Sequence, residues 1–157
     1  MERFSILSLW QFTIGIKGGI RMSYNYFETR KAEAVRNLCK QTISSMEWEI
    51  KFINSTEADK IFTQEQKDEL TLIYTKEIED RLKKDIPKSF IGKFKPSFTK
   101  DGELKECFIT VLDVFTHHYT GVEIYHVRME YPSGYMEYKT IDKRKELVDY
   151  FVFGERF

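Results

Sequence analysis

Proline is scarce in this chain, cysteine scarcer still, and net charge is missing altogether. With 3 prolines among 157 residues and no tract rich in Pro, Ser or Gln, a long disordered tail or linker is excluded. The 2 cysteines, Cys39 and Cys107, form neither a C-x-x-C motif nor a disulfide framework, which points to a reducing cytoplasm. The 25 basic residues are matched by 25 acidic ones, so the body as a whole is no polyanion binder. No internal repeat is visible, and no apolar run reaches the roughly 18–20 residues of a membrane-spanning helix. The motifs of common chemistries are absent too: there is no G-x-S-x-G, H-E-x-x-H, phosphate loop or S-x-x-K. Nothing in the sequence asks for a cofactor, and no metal site is expected.

What is present is an ordinary supply of core material, 41% hydrophobic and 15% aromatic, enough for one domain without staples. The first residues stand apart. After "MER", residues 4–16 read "FSILSLWQFTIGI", too short and too interrupted to span a bilayer and lacking a small-residue cleavage site. The following "KGGIRM" can be encoded as AAA GGA GGA ATA AGA ATG, which contains a bacterial ribosome-binding sequence just ahead of an ATG. Residues 1–21 therefore read as a leader, either a translated upstream segment ahead of a start at Met22 or a weak anchor. Without them the chain loses Arg3, Lys17 and Arg21 against Glu2, leaving 22 basic and 24 acidic residues and a net charge of −2. Membrane contact is expected only if this segment is a real anchor. Residues 22–157 read as a single α+β domain.

From Tyr26 onward Val35, Leu38, Cys39, Thr42, Ile43, Met46, Ile50 and Ile53 recur at three- and four-residue steps, predicting one long helix over about 26–52. Thr63 followed by Gln66 has the form of a capping box, and Leu70, Ile73, Tyr74, Ile78 and Leu82 predict a second helix ending before Pro87. The period then falls to 2. "FIGKFKPSF", "LKECFITVLDVF", "VEIYHVRMEY" and residues 135–141 predict four strands, joined by turns at "KDGE", "HYTG" and "YPSG". "KRKELVDYFVF" predicts a short last helix ended by Gly154. The expected fold is α+β: two N-terminal helices, a four-stranded antiparallel meander and a short C-terminal helix.

Three constellations could carry function. His117, His118 and His126 share a hairpin with Asp113 and Glu123. Adjacent His117 and His118 must face opposite ways, which argues against a metal site. With a three-residue loop Val114 opposes His126; a shift of one residue sets Asp113 opposite His126, an acid–base pair. An enzyme of hydrolase or isomerase type, using His126 with Asp113 or Glu123, is thus one alternative. A second is nucleic-acid binding by segments 88–105 and 139–145, with Lys93, Lys95, Lys143, Arg144 and Lys145 around interleaved Phe; the same Lys and Pro96 equally protect a sheet edge. The third constellation is the meander itself, apolar on both faces. One carries Ile109, Val111, Phe115, Tyr125, Val127, Met129, Tyr131 and Tyr135; the other carries Phe108, Leu112, Val114, Ile124, Met136 and Tyr138. Two apolar faces need two covers. The leading expectation is a small cytoplasmic bacterial, phage or mobile-element protein, not an enzyme, that binds another protein or itself through Tyr125, Met129, Tyr131 and Tyr135.

Overall fold

The helical pattern that opens near Tyr26 folds as helix, but not as one. In the computed structural model, which describes residues 24–94 and 103–156, helix α1 runs Tyr24–Asn37 and helix α2 runs Ile43–Ile53. A 3-10 turn at Leu38–Lys40 separates them, and Gln41 and Thr42 are extended, with ψ of 141° and 159°. The break has a local cause. Thr42 accepts a hydrogen bond from the Ser45 backbone N–H at 3.0 Å, capping a new helix in the middle of what reads as one stripe. The expectation of two N-terminal helices is therefore corrected: among the described residues there are four α-helices, three of them before the sheet. Helix α3, Gln64–Leu82, starts where its capping box places it. Thr63 Oγ1 accepts from Gln66 N–H at 3.2 Å, and Gln66 Oε1 accepts from Thr63 N–H at 3.0 Å.

The backbone divides into two compact units, Met1–Asp80 and Arg81–Phe157. In the first, α1, α2 and most of α3 bury Phe27, Ile43, Met46, Ile53, Leu70 and Tyr74. The segment between α2 and α3 holds a 3-10 turn, Thr56–Lys60, and its Phe62 packs edge-on against Phe27 at 6.0 Å. Lys67 is buried here; its ammonium is held by the Asp59 carboxylate and the Ser55 carbonyl, as a buried charge must be. Among the described residues no helix is long and apolar enough to cross a membrane.

The second unit is the sheet with one helix. Strands β1 (Ser89–Phe94), β2 (Lys105–Thr116), β3 (Glu123–Glu130) and β4 (Met136–Ile141) form an antiparallel meander in the order β1-β2-β3-β4. The "YPSG" and "HYTG" turns carry Gly134 at φ 92° and Gly121 at φ 71°, angles that L side chains avoid. The "KDGE" turn, with Lys95, Pro96, Phe98 and Lys100, lies outside the described residues, as do residues 1–23.

Helix α4, Arg144–Arg156, covers one sheet face, where Phe90, Cys107, Ile109, Val127, Met129 and Leu147 form the core. Each such side chain, fully buried, contributes roughly 1.5–3 kcal/mol. Gly154 does not end this helix; two more residues follow it. It is instead the point of closest approach to β1: a Cβ there would stand 1.9 Å from the Ile91 carbonyl oxygen. On α4 as well, Asp149 accepts from Arg81, the wholly buried residue at the end of α3, at 2.9 Å, and the Arg81 guanidinium lies 5.3 Å from the Phe153 ring centroid.

Candidate functional site

Strand alternation places Phe90, Phe94, Cys107, Ile109, Tyr125, Val127 and Met129 under α4. The residues between them face the other way, and there the sheet is open. One row across the strands sets Ile91 opposite Phe108, Phe108 opposite Glu130, and Glu130 opposite Met136. In the next row Thr110 faces Arg128, which faces Tyr138. Ile91, Phe108, Met136 and Tyr138 are 54%, 42%, 50% and 67% exposed, far from the polar covering expected of a solvated sheet face. Arg128 Nε lies 2.9 Å from Glu130 Oε1, an ion pair without hydrogen-bond geometry, so the charges between these apolar groups are paired along one strand.

This alters the sites read from the sequence. Tyr125 and Met129 are 5% and 1% exposed and belong to the core beneath α4, so they do not reach the surface. Tyr131 is half-buried on that same side, and its hydroxyl donates to Glu137 at 2.8 Å; burial, with that carboxylate next in weight, pushes its phenol pKa up. Only Tyr135, at 62%, is exposed, with its ring 5.7 Å from that of Tyr131. On the second face Phe108, Met136 and Tyr138 lie open, together with Ile91, and toward the end of β2 Leu112, Val114 and Phe115 are exposed as well.

A bulge decides which residues of β2 join them. The register runs Val111 to Val127 and then Asp113 to His126, leaving Leu112 as the extra residue. Beyond it Phe115 pairs with Ile124 and Val114 with Tyr125, so the two exchange the faces that simple alternation assigns them. The bulge follows from a loop one residue longer than the three expected: His117 N–H bonds the Val122 carbonyl at 2.7 Å and Gly121 N–H bonds the His117 carbonyl at 3.0 Å.

The three histidines go separate ways. His117 Nδ1 accepts from the backbone N–H groups of Tyr119 and Thr120, both at 3.3 Å, so it holds the turn together. The ring of His118 meets that of Tyr119 edge-on at 5.1 Å. His126 stands opposite Asp113 on the open face, but its ring contact is with Phe115, edge-on at 5.2 Å, and no hydrogen bond joins it to Asp113. Glu123 is on the other face, where its carboxylate accepts the Tyr125 hydroxyl. Among the described residues no group of three His, Cys, Asp or Glu is placed to hold a metal ion. Cys107 is buried, which with the nearby Glu137 and Glu106 pushes its thiol up to about 12, far from a reactive thiolate.

Of the basic residues read as one platform, Lys95 lies outside the described residues, and the others lie on β1 and at the start of α4. Lys93 sits beside Glu106 across the β1–β2 ladder. Arg144 donates through one guanidinium nitrogen to the carbonyls of Leu82 and Lys84, at 3.3 and 2.7 Å. Lys143 is exposed beside it, and Lys145 is half-buried within α4.

Arg144 also lines a cleft of about 560 Å³ that the sequence did not announce. Residues 85–88 form one wall, the bulged stretch of β2 and Glu123 and Tyr125 of β3 another, and Arg144 and Leu147 of α4 the third. Tyr125 is held between Glu123 and Arg144; burial, with the Glu123 bond next, raises its phenol pKa, and the guanidinium partly opposes that. The only sequence signals for the cleft are the apolar run through Leu112 and the turn residues that force the bulge. Comparison of this chain with protein-family models, with curated proteins and with solved structures finds no match.

Proposed function

We propose that this protein acts by protein–protein interaction through the open face of its sheet, and that a second copy of the chain covers that face. The exposed row of Ile91, Phe108 and Met136, with Tyr138 beside it, carries this reading. Burying the open half of four such side chains would contribute about 1 kcal/mol each, the scale on which a modest dimer is built. Charge favours a like partner. The face carries both signs close together, as Arg128 with Glu130, and such a face can match itself under two-fold rotation, whereas a face of one sign repels its copy. The free state of both Cys39 and Cys107 fits the reducing cytoplasm expected from their spacing.

Sedimentation velocity over a wide range of protein concentration tests this. The wild-type chain is expected to pass from monomer to dimer, and a Phe108→Ser, Tyr138→Ser variant to remain monomeric with an unchanged circular dichroism spectrum. Tyr119→Ser, at an exposed position in the hairpin loop, should dimerise as the wild type does. A chain that stays monomeric at every concentration, or a dimer indifferent to the double substitution, sinks the reading.

A further inference from the structure

Strand β4 is a free edge of the meander: among the described residues it pairs with β3 alone. Tyr131 N–H bonds the Tyr135 carbonyl at 2.9 Å, and the antiparallel ladder alternates from that pair. The backbone groups of Glu137, Lys139 and Ile141 therefore point at β3, and those of Met136, Tyr138 and Thr140 point outward. All three outward residues are exposed, and the strand has neither the proline nor the bulge that guards an edge. We infer that this edge pairs antiparallel with β4 of another copy, about a two-fold axis through Tyr138. The inference rests on the face reading: one short ladder is marginal alone, so it joins copies already paired through their open faces.

Charge selects both the partner and the register. With Tyr138 opposite its own copy, Met136 falls opposite Thr140, and Glu137 opposite the partner's Lys139, twice over by symmetry. Every outward N–H then meets an outward carbonyl. The Glu–Lys pairs occupy the positions between, where opposed side chains stand closest. Other registers fail. A slip of one residue sets outward groups against inward ones, and an axis through Glu137 or Lys139 opposes like charges. Lys139 already reaches Glu146 at 3.3 Å in an exposed pair, and an ammonium with three donors serves a second carboxylate as well. The axis stands perpendicular to the sheet, so both open faces stay on one side and remain available to the copies that cover them.

The test is amide hydrogen exchange by NMR on the full chain, with sedimentation velocity alongside. As rising concentration carries the protein beyond the dimer, the Met136, Tyr138 and Thr140 amides should slow at least tenfold. Glu137 and Lys139, bonded to β3 throughout, should change little. Thr140→Pro removes an outward N–H and leaves Ile91, Phe108, Met136 and Tyr138 in place, so it should stop at the dimer. Glu137→Lys and Lys139→Glu should each stop there too, and assemble further only when mixed. A dimer whose three outward amides keep their monomer rates at every concentration overturns this inference and leaves the face reading standing. A chain that is always monomeric overturns both. Larger assemblies that form equally in Thr140→Pro, or in either charge variant alone, overturn the edge pairing, and wild-type exchange decides the matter if a variant fails to fold.

Discussion

Replacing Gly154 by alanine sets helix propensity against packing, and the two demand opposite signs. Gly154 lies inside α4, where alanine is intrinsically better by about 1 kcal/mol, so propensity alone predicts a more stable protein. The added Cβ, however, would meet the Ile91 carbonyl oxygen at 1.9 Å, its carbon at 2.9 Å and the Gly92 Cα at 3.2 Å. A carbon and a carbonyl oxygen in contact rest about 3.3–3.6 Å apart, so the helix must retreat by roughly 1.5 Å. Every atom it meets is backbone, and no rotamer change can relieve the clash.

Retreat loosens the ring contacts that seat α4 on β1, Phe90 with Phe151 at 5.2 Å and Phe94 with Tyr150 at 5.5 Å. A gap of that size forfeits about half or more of the dispersion attraction across it. Overpacking of this kind costs about 3 kcal/mol at the upper end of its usual range, and subtracting the propensity gain leaves a net loss of about 2 kcal/mol. In urea that lowers the unfolding midpoint by about 1 M. Gly121→Ala is the useful contrast: nothing lies within 4 Å of its added Cβ, and only the positive φ opposes it. An unfolding midpoint for Gly154→Ala at or above the wild-type value would refute the close approach of α4 to β1.

Two further predictions rest on buried groups. Asp149→Ala removes the carboxylate that faces the wholly buried Arg81 guanidinium and should cost about 3–5 kcal/mol by urea unfolding, whereas Arg81→Met with Asp149→Leu should recover most of it; equal losses in the two would deny the pair its place in the core. The Cys107 thiol keeps its proton to about 12 in the folded state against 9.0 ordinarily, so the unfolded chain binds fewer protons between those values and stability must fall as pH rises through that window. The urea midpoint should drop between pH 9 and pH 11 and drop less in Cys107→Val; a flat profile, or fast alkylation of Cys107 in the native protein, would contradict its burial.

Local patterns carried much of the fold, and the places where they failed have physical causes. The capping box at Thr63 and Gln66 and the positive-φ glycines at 121 and 134 are short-range chemistry, and each stands where the residues put it. The stripe through Cys39 and Ile43 misled because a 3.6-residue period survives a short break, and only Thr42, with a bond to Ser45, marks the interruption. Gly154 was read as a helix stop because glycine at a helix end is common. Its real use, contact with a strand some sixty residues earlier in the chain, is invisible to any local rule.

The site was legible in composition but not in placement. Both sheet faces read as apolar, and which one stays open depends on where α4 docks. That docking follows from Gly92 and Gly154 permitting close approach on one side of β1, a long-range fact. The histidine hairpin shows the same limit at finer scale. Changing the loop by one residue, from three to four, brings Asp113 opposite His126, yet it also inserts Leu112 as a bulge and exchanges Val114 with Phe115. Phe115 then occupies the space beside His126, and Val114 turns toward Tyr125 to line the cleft. The register change that creates the acid–base pairing thus sets an aromatic edge against the histidine and moves the polar convergence to the opposite face. There Glu123, Tyr125 and Arg144 meet, and only Arg144 comes from outside the hairpin.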